Sequence, residues 1–195
     1  MTGMYDWNPM PHKVDVKCPS CHKKAEFEFA EVVKIKLKKD VPFFQNSPQF
    51  EYQMLSDDCG HLVHGAFFFE GLHGSVNAIS HLPDGYSPSN WSHSQYLIRS
   101  QRYDIGSILC SHCSNRGIYN LNWPQDAFYS VSHRNKCLWA FNKESANELL
   151  RFIESNARNE SSYKWQSFLR HIPSHFKGKK ARTDISKKLR QRLSC

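Results

Sequence analysis

Two cysteine pairs of identical spacing, Cys18-Pro-Ser-Cys21 and Cys110-Ser-His-Cys113, constrain this chain more than any other feature of its sequence. In a C-x-x-C segment two thiolates on one tight turn reach the same tetrahedral ion, and two such turns complete a four-thiolate zinc site. A disulfide framework fits less well, because seven cysteines cannot all pair and residues 1–11 lack the charged-then-apolar layout of an export signal. Between the pairs lie 88 residues, 22–109. A structureless loop of that length is rare in a compact domain, so the intervening stretch is expected to carry elements of its own that pack.

Each pair is followed within a few residues by a β-like run, residues 25–37 after the first and 117–121 after the second. Turn and strand together resemble a zinc ribbon, in which two knuckles stand at the ends of short antiparallel hairpins. The resemblance covers only the knuckles and their flanking strands. It implies one structural zinc ion held by Cys18, Cys21, Cys110 and Cys113, and the long insertion between the knuckles departs from a compact ribbon. A rival ligand set stays open: Cys59-Gly60-His61 and His64 have ligand-like spacing, so Cys18 and Cys21 could instead share an ion with Cys59 and His61. Cys137 and His112 are further thiol and imidazole groups.

Hydrophobic periodicity predicts a β-rich body. Over residues 25–37 the apolar Phe27, Phe29, Val33, Ile35 and Leu37 alternate with Glu26, Glu28, Lys34 and Lys36, as in a half-buried strand or two strands joined near Glu31. Residues 42–48 read as a loop, Phe50, Tyr52 and Met54 as one face of a strand, and the apolar run 62–69 as the centre of a sheet. Residues 83–90 are dense in turn formers. Three short strands are expected over 117–121, 127–132 and 137–141, the last two joined around Arg134-Asn135. Asn142 then caps a helix with Ser145 at its third position, running to about Asn156. A second helix is predicted over 162–171, stopped by Pro173, and a third after Thr183 with Ile185, Leu189 and Leu193 as a thin apolar seam. No internal repeat is evident. The expected fold class is α+β: a zinc-clamped antiparallel β body over 1–141 with the insertion 22–109, then a helical part over 142–195 with a basic tail.

Charge is distributed unevenly along this plan. Of the formal +8, residues 164–195 carry +9, with ten Lys or Arg against Asp184 alone, and residues 1–163 carry −1. Such a segment attracts polyanions, and Lys177, Lys179, Lys180, Arg182, Lys187, Lys188, Arg190 and Arg192 are the expected nucleic-acid contacts, to DNA or RNA. Hydrophobic residues at 39% and aromatics at 13% exclude a disordered chain. No stretch is apolar for long enough to span a membrane, and an intracellular, cytoplasmic protein is expected.

The sequence therefore predicts a zinc-stabilised binding protein and not an enzyme. A protein-binding adaptor is one alternative. The other is a metal-dependent nuclease or hydrolase centred on residues 59–81, where Asp57, Asp58, His61, His64, His73 and His81 gather. His61-Leu62-Val63-His64-Gly65 loosely resembles metal-holding nuclease turns but lacks their downstream Asn and His. Within a strand, His61 and His64 would also point to opposite faces. Of the aromatics Trp91, Trp123, Tyr129, Trp139, Phe141 and Trp165, most are expected in the core, and Tyr86 and Trp91, beside the turn-rich loop, are the candidates for an exposed stacking platform.

Overall fold

In the computed structural model, which describes residues 10–56, 59–94 and 104–194, each cysteine pair stands between two strands. The first hairpin is β1 (Lys13–Lys17) and β2 (Lys24–Phe29). The chain continues through β3 (Glu31–Lys34), α1 (Val41–Asn46), β4 (Phe50–Ser56), β5 (Leu62–Phe68), α2 (Glu70–His73) and β6 (Ser92–His93). The second hairpin is β7 (Ile105–Leu109) and β8 (Arg116–Asn120), with Leu109 opposite Arg116 and Ile105 opposite Asn120. Then follow β9 (Ser130–His133), β10 (Lys136–Trp139), α3 (Lys143–Glu154), α4 (Gln166–Arg170), α5 (Ser174–Lys177) and α6 (Lys179–Leu193). The two hairpins form one four-stranded sheet in the order β1-β2-β7-β8. This is the predicted α+β class, with strand, knuckle, strand occurring twice as the expected hairpin knuckles require.

The chain gathers into two compact units, one of residues 27–121 and the other of the segments on either side. In the first unit the half-buried stretch after Cys21 breaks at Ala30, and β3 joins a second sheet of order β4-β5-β3-β6. β5 runs inside it, with Phe68 opposite both Phe50 and Glu31. Its second half, residues 65–68, is covered on both faces: Val32, Leu55 and Phe67 pack on one side, and Val33, Phe50 and Phe68 on the other, whereas Leu62 at its start is exposed. Residues 42–48, expected as a loop, hold α1, in which Pro42 occupies the first turn, where no backbone N–H is needed, and Phe44 is fully buried. Phe44, Phe50 and Phe68 enclose the two aromatics expected at the surface. The Tyr86 ring lies 5.2 Å from Phe44, and Trp91 lies 5.9 Å from Phe50 and 6.1 Å from Phe68. Tyr86 also donates to Asp40 and accepts from the backbone N–H of Lys36. Both are half-buried and pack against this cluster.

The second unit is built on the β9–β10 hairpin, whose two-residue turn places Arg134 and Asn135 at φ 50° and 60°, the left-handed pair that matches strand twist. β9 is shorter than the strand expected over 127–132, and Ala127 instead forms an isolated bridge to Val16. Trp139, Phe141 and Phe168 form the aromatic centre, with ring centroids 5.1–5.7 Å apart. The cap of α3 is the predicted one: the Asn142 side chain accepts from Ser145 N–H, and Ser145 returns the bond to Asn142 N–H. Buried Glu148 on α3 accepts the backbone N–H groups of Lys164 and Trp165, fixing the chain before α4. α4 is shorter than the helix expected over 162–171, since a separate 3-10 turn occupies Glu160–Ser162.

α6 begins at Lys179, five residues before the expected start, with Gly178 at its N-cap and Thr183 inside the helix. Its seam is thin but docks firmly: Ile185 and Leu189 have no exposed surface, and the helix packs on α3 and β9. Truncation here leaves a cavity that neighbouring side chains fill poorly. Leu189→Ala is expected to lower unfolding free energy by about 3 kcal/mol, whereas exposed Lys187→Ala changes it by less than about 0.5 kcal/mol. Urea denaturation of the two variants measures the difference.

Candidate metal centre

Both knuckles close through the same backbone bonds. The N–H of Cys18 donates to Lys23 O at 2.8 Å, and the N–H of Cys110 donates to Asn115 O at 2.8 Å, each across five residues. The residue after the second cysteine, His22 or Ser114, takes the left-handed conformation that turns the chain back, with φ 59° and 57°. Each turn thereby presents two sulfurs on one side of a hairpin end.

The knuckles bring Cys18, Cys21, Cys110 and Cys113 together, with sulfurs about 3.7 Å apart. Four thiolates each bound about 2.3 Å from one ion lie about 3.8 Å from one another at the corners of a tetrahedron, so the cluster has the dimensions of a metal centre. Cys18 and Cys110 are fully buried, Cys21 is half-buried and Cys113 is exposed. Soft, anionic sulfur donors suit a closed, structural site in which every ligand comes from the protein.

The rival ligands lie elsewhere. Cys59 and His61 are exposed and belong to no such cluster, and His64 is engaged on β5, its Nδ1 2.6 Å from the Tyr52 hydroxyl. His73 and His81 are exposed as well. Among the described residues, these groups form no set of three ligands able to hold an ion. Asp57 and Asp58 lie outside the described residues. Cys137 is half-buried on β10, where burial pushes its thiol up from the ordinary value, and exposed His112 is not among the clustered ligands.

The basic residues divide into two groups. Arg190 donates to Glu154 at 2.8 Å, Arg182 to Asn156 at 2.7 Å, and Lys188 to Ser132 O and Asp184 at 2.7 and 2.8 Å. Hydrogen bonds with His133 and then Lys188 hold the Asp184 carboxyl below its ordinary range, so it is ionised at neutral pH. Lys177 lies over the Phe152 ring and Arg192 over Phe128, at 5.4 and 5.8 Å. Lys179, Lys180 and Lys187 are exposed. Among the described residues no helix is long and apolar enough to cross a membrane.

In comparisons with protein-family models, curated proteins and solved structures, none matches this chain.

The geometry separates the cysteines by function. Cys110→Ser is expected to abolish metal retention and destabilise the protein, because ligand loss and unfolding are linked. Cys59→Ser and Cys137→Ser should retain the metal. Elemental analysis of the purified variants, with thermal unfolding alongside, reports both effects.

Proposed function

We propose that this protein is a zinc-stabilised, intracellular binding module that contacts the phosphates of DNA or RNA through its basic C-terminal segment. The observation that carries the reading is the +9 charge of residues 164–195, combined with the docking of α6, which gives its cations a fixed backbone. Lys179, Lys180 and Lys187 are free to meet a phosphate backbone, whereas Arg182, Lys188 and Arg190 would exchange or share internal partners. The ion in the four-cysteine centre acts structurally, since a closed thiolate set leaves no position for substrate.

The adaptor reading would use Leu189 and Leu193, of which Leu189 is fully buried within the protein and Leu193 half-buried, so less of that seam is open to a partner. The hydrolase reading needs a convergence of Cys59, His61, His64, His73 and His81 that the described residues do not make.

Phosphate contacts release condensed counterions, so affinity for nucleic acid should fall steeply with salt, with a log–log slope of about −0.7 to −0.9 per contact. Charge reversal at Lys187 together with Lys179 should weaken binding to all sequences alike and flatten that slope, because such side chains contact backbone and not bases. Fluorescence anisotropy over a salt series, with single- and double-stranded DNA and RNA, tests this. Salt-independent binding, or none, would overturn the reading.

A further inference from the structure

A groove of about 500 Å3 opens beside the C-terminal end of α6, where the helix lies against β9 and the last residue of β1. Its size is that of an ordinary small-ligand cleft, roughly 300–1,000 Å3. Lys17, Lys188 and Arg192 line it with Ser130, Ser132 and Gln191, and no carboxylate is among the lining residues. Asp184, bonded to Lys188, stands outside that lining, and the three lining cations leave the groove wall positive.

The donors are also in place. An ammonium carries three N–H groups. Lys17 directs one to Gln125 O at 3.1 Å, and Lys188 directs two, to Ser132 O and Asp184. Arg192 is held over the Phe128 ring at 5.8 Å, a cation–π contact and not a hydrogen bond. The exposed Ser132 hydroxyl adds a neutral donor. A concave wall of low dielectric concentrates the field of these charges, which lysines on an open helix face cannot do.

We infer that this groove holds one phosphate group of a bound polynucleotide backbone, with Lys17 and Arg192 as its main charge partners and Ser132 as a hydrogen-bond donor. The inference rests on the nucleic-acid reading above and gives it a defined point of contact. It also adds Lys17, a β1 residue, to a surface otherwise drawn from the C-terminal segment. Lys188 holds the position of Asp184 and β9, so its loss would disturb the groove itself. Lys17 and Arg192 are the sites to vary.

The test uses the full-length, metal-loaded protein and a short single-stranded oligonucleotide, in DNA and RNA form, followed by anisotropy at several salt concentrations. Lys17→Ala and Arg192→Ala should each weaken binding about tenfold and flatten the salt slope by about one contact. The charge-retaining Lys17→Arg and Arg192→Lys should stay within about twofold, and Lys179→Ala and Lys180→Ala within about threefold, as expected for solvated cations. Metal content and circular dichroism confirm that each variant is folded, and for a variant that is not, the charge-retaining substitution at the same position decides. Equal weakening by all four alanine substitutions would overturn the groove while leaving the nucleic-acid reading intact. If the wild type binds neither oligonucleotide, that reading fails first, and the 31P resonance of inorganic phosphate then examines the groove alone. Broadening that Lys17→Ala removes would mark a site for small phosphates and overturn the polynucleotide assignment. Absence of broadening would overturn the groove altogether.

Discussion

Four sulfurs drawn from two turns, 88 residues apart in sequence, lie close enough together to hold one ion, and the rest of the structure must accommodate that convergence. Four thiolates held this close repel one another once ionised, so the arrangement is costly without a cation at its centre. With a structural zinc the balance reverses: such ions contribute on the order of 10 kcal/mol, comparable with the whole net stability of a domain. The backbone prepares this state in advance. Each knuckle is closed by its own hydrogen bond across five residues, so a metal bound there would order four rotamers and not two flexible loops.

A second dependence runs from the apolar seam of α6 to its charge. Long cationic side chains on a frayed segment would lose much conformational entropy on meeting a ligand. Burial of Ile185 and Leu189 removes the backbone part of that cost beforehand. Glu154, Asn156 and Asp184 then anchor Arg190, Arg182 and Lys188 against the body of the unit, while Lys179, Lys180 and Lys187 stay in water. Exposed pairs of this kind contribute little to stability, and their consequence is orientation.

What was legible in the sequence was what is set locally. A C-x-x-C turn and the Asn142–Ser145 cap each depend on residues within one or two turns of chain, so spacing alone exposes them; in β4 the strand was legible but not its buried face, since Met54 is exposed and Leu55 buried. The shared backbone of the two knuckles is less visible, because His22 and Ser114 occupy the same left-handed position with unrelated side chains. The start of α6 was missed for a related reason. Gly178 at its N-cap supplies no side-chain cap, so the visible Thr183 looked like the better signal. Tyr86 and Trp91 were misplaced because the residues that cover them, Phe44, Phe50 and Phe68, are distant in sequence. Lys17 escaped notice in the same way, since only tertiary structure brings it to the groove beside Lys188 and Arg192.

The long segment between the knuckles is less anomalous than its length suggests. Loop-closure entropy grows only with the logarithm of length, so a large insertion costs little more than a modest one, provided its ends return to the same place. Here they do: β2 and β7 are neighbours in the sheet, and Ala30 N–H donates to Ile105 O at 3.1 Å, so residues 31–104 leave and re-enter at one hydrogen bond. Close approach at this junction is enforced by Gly106, where a Cβ would fall 2.2 Å from Glu28 O and 2.5 Å from the Phe27 ring. A side chain there would part β7 from β2. The strand that leads into the second cysteine turn is thus held in place by a glycine four residues upstream of Cys110.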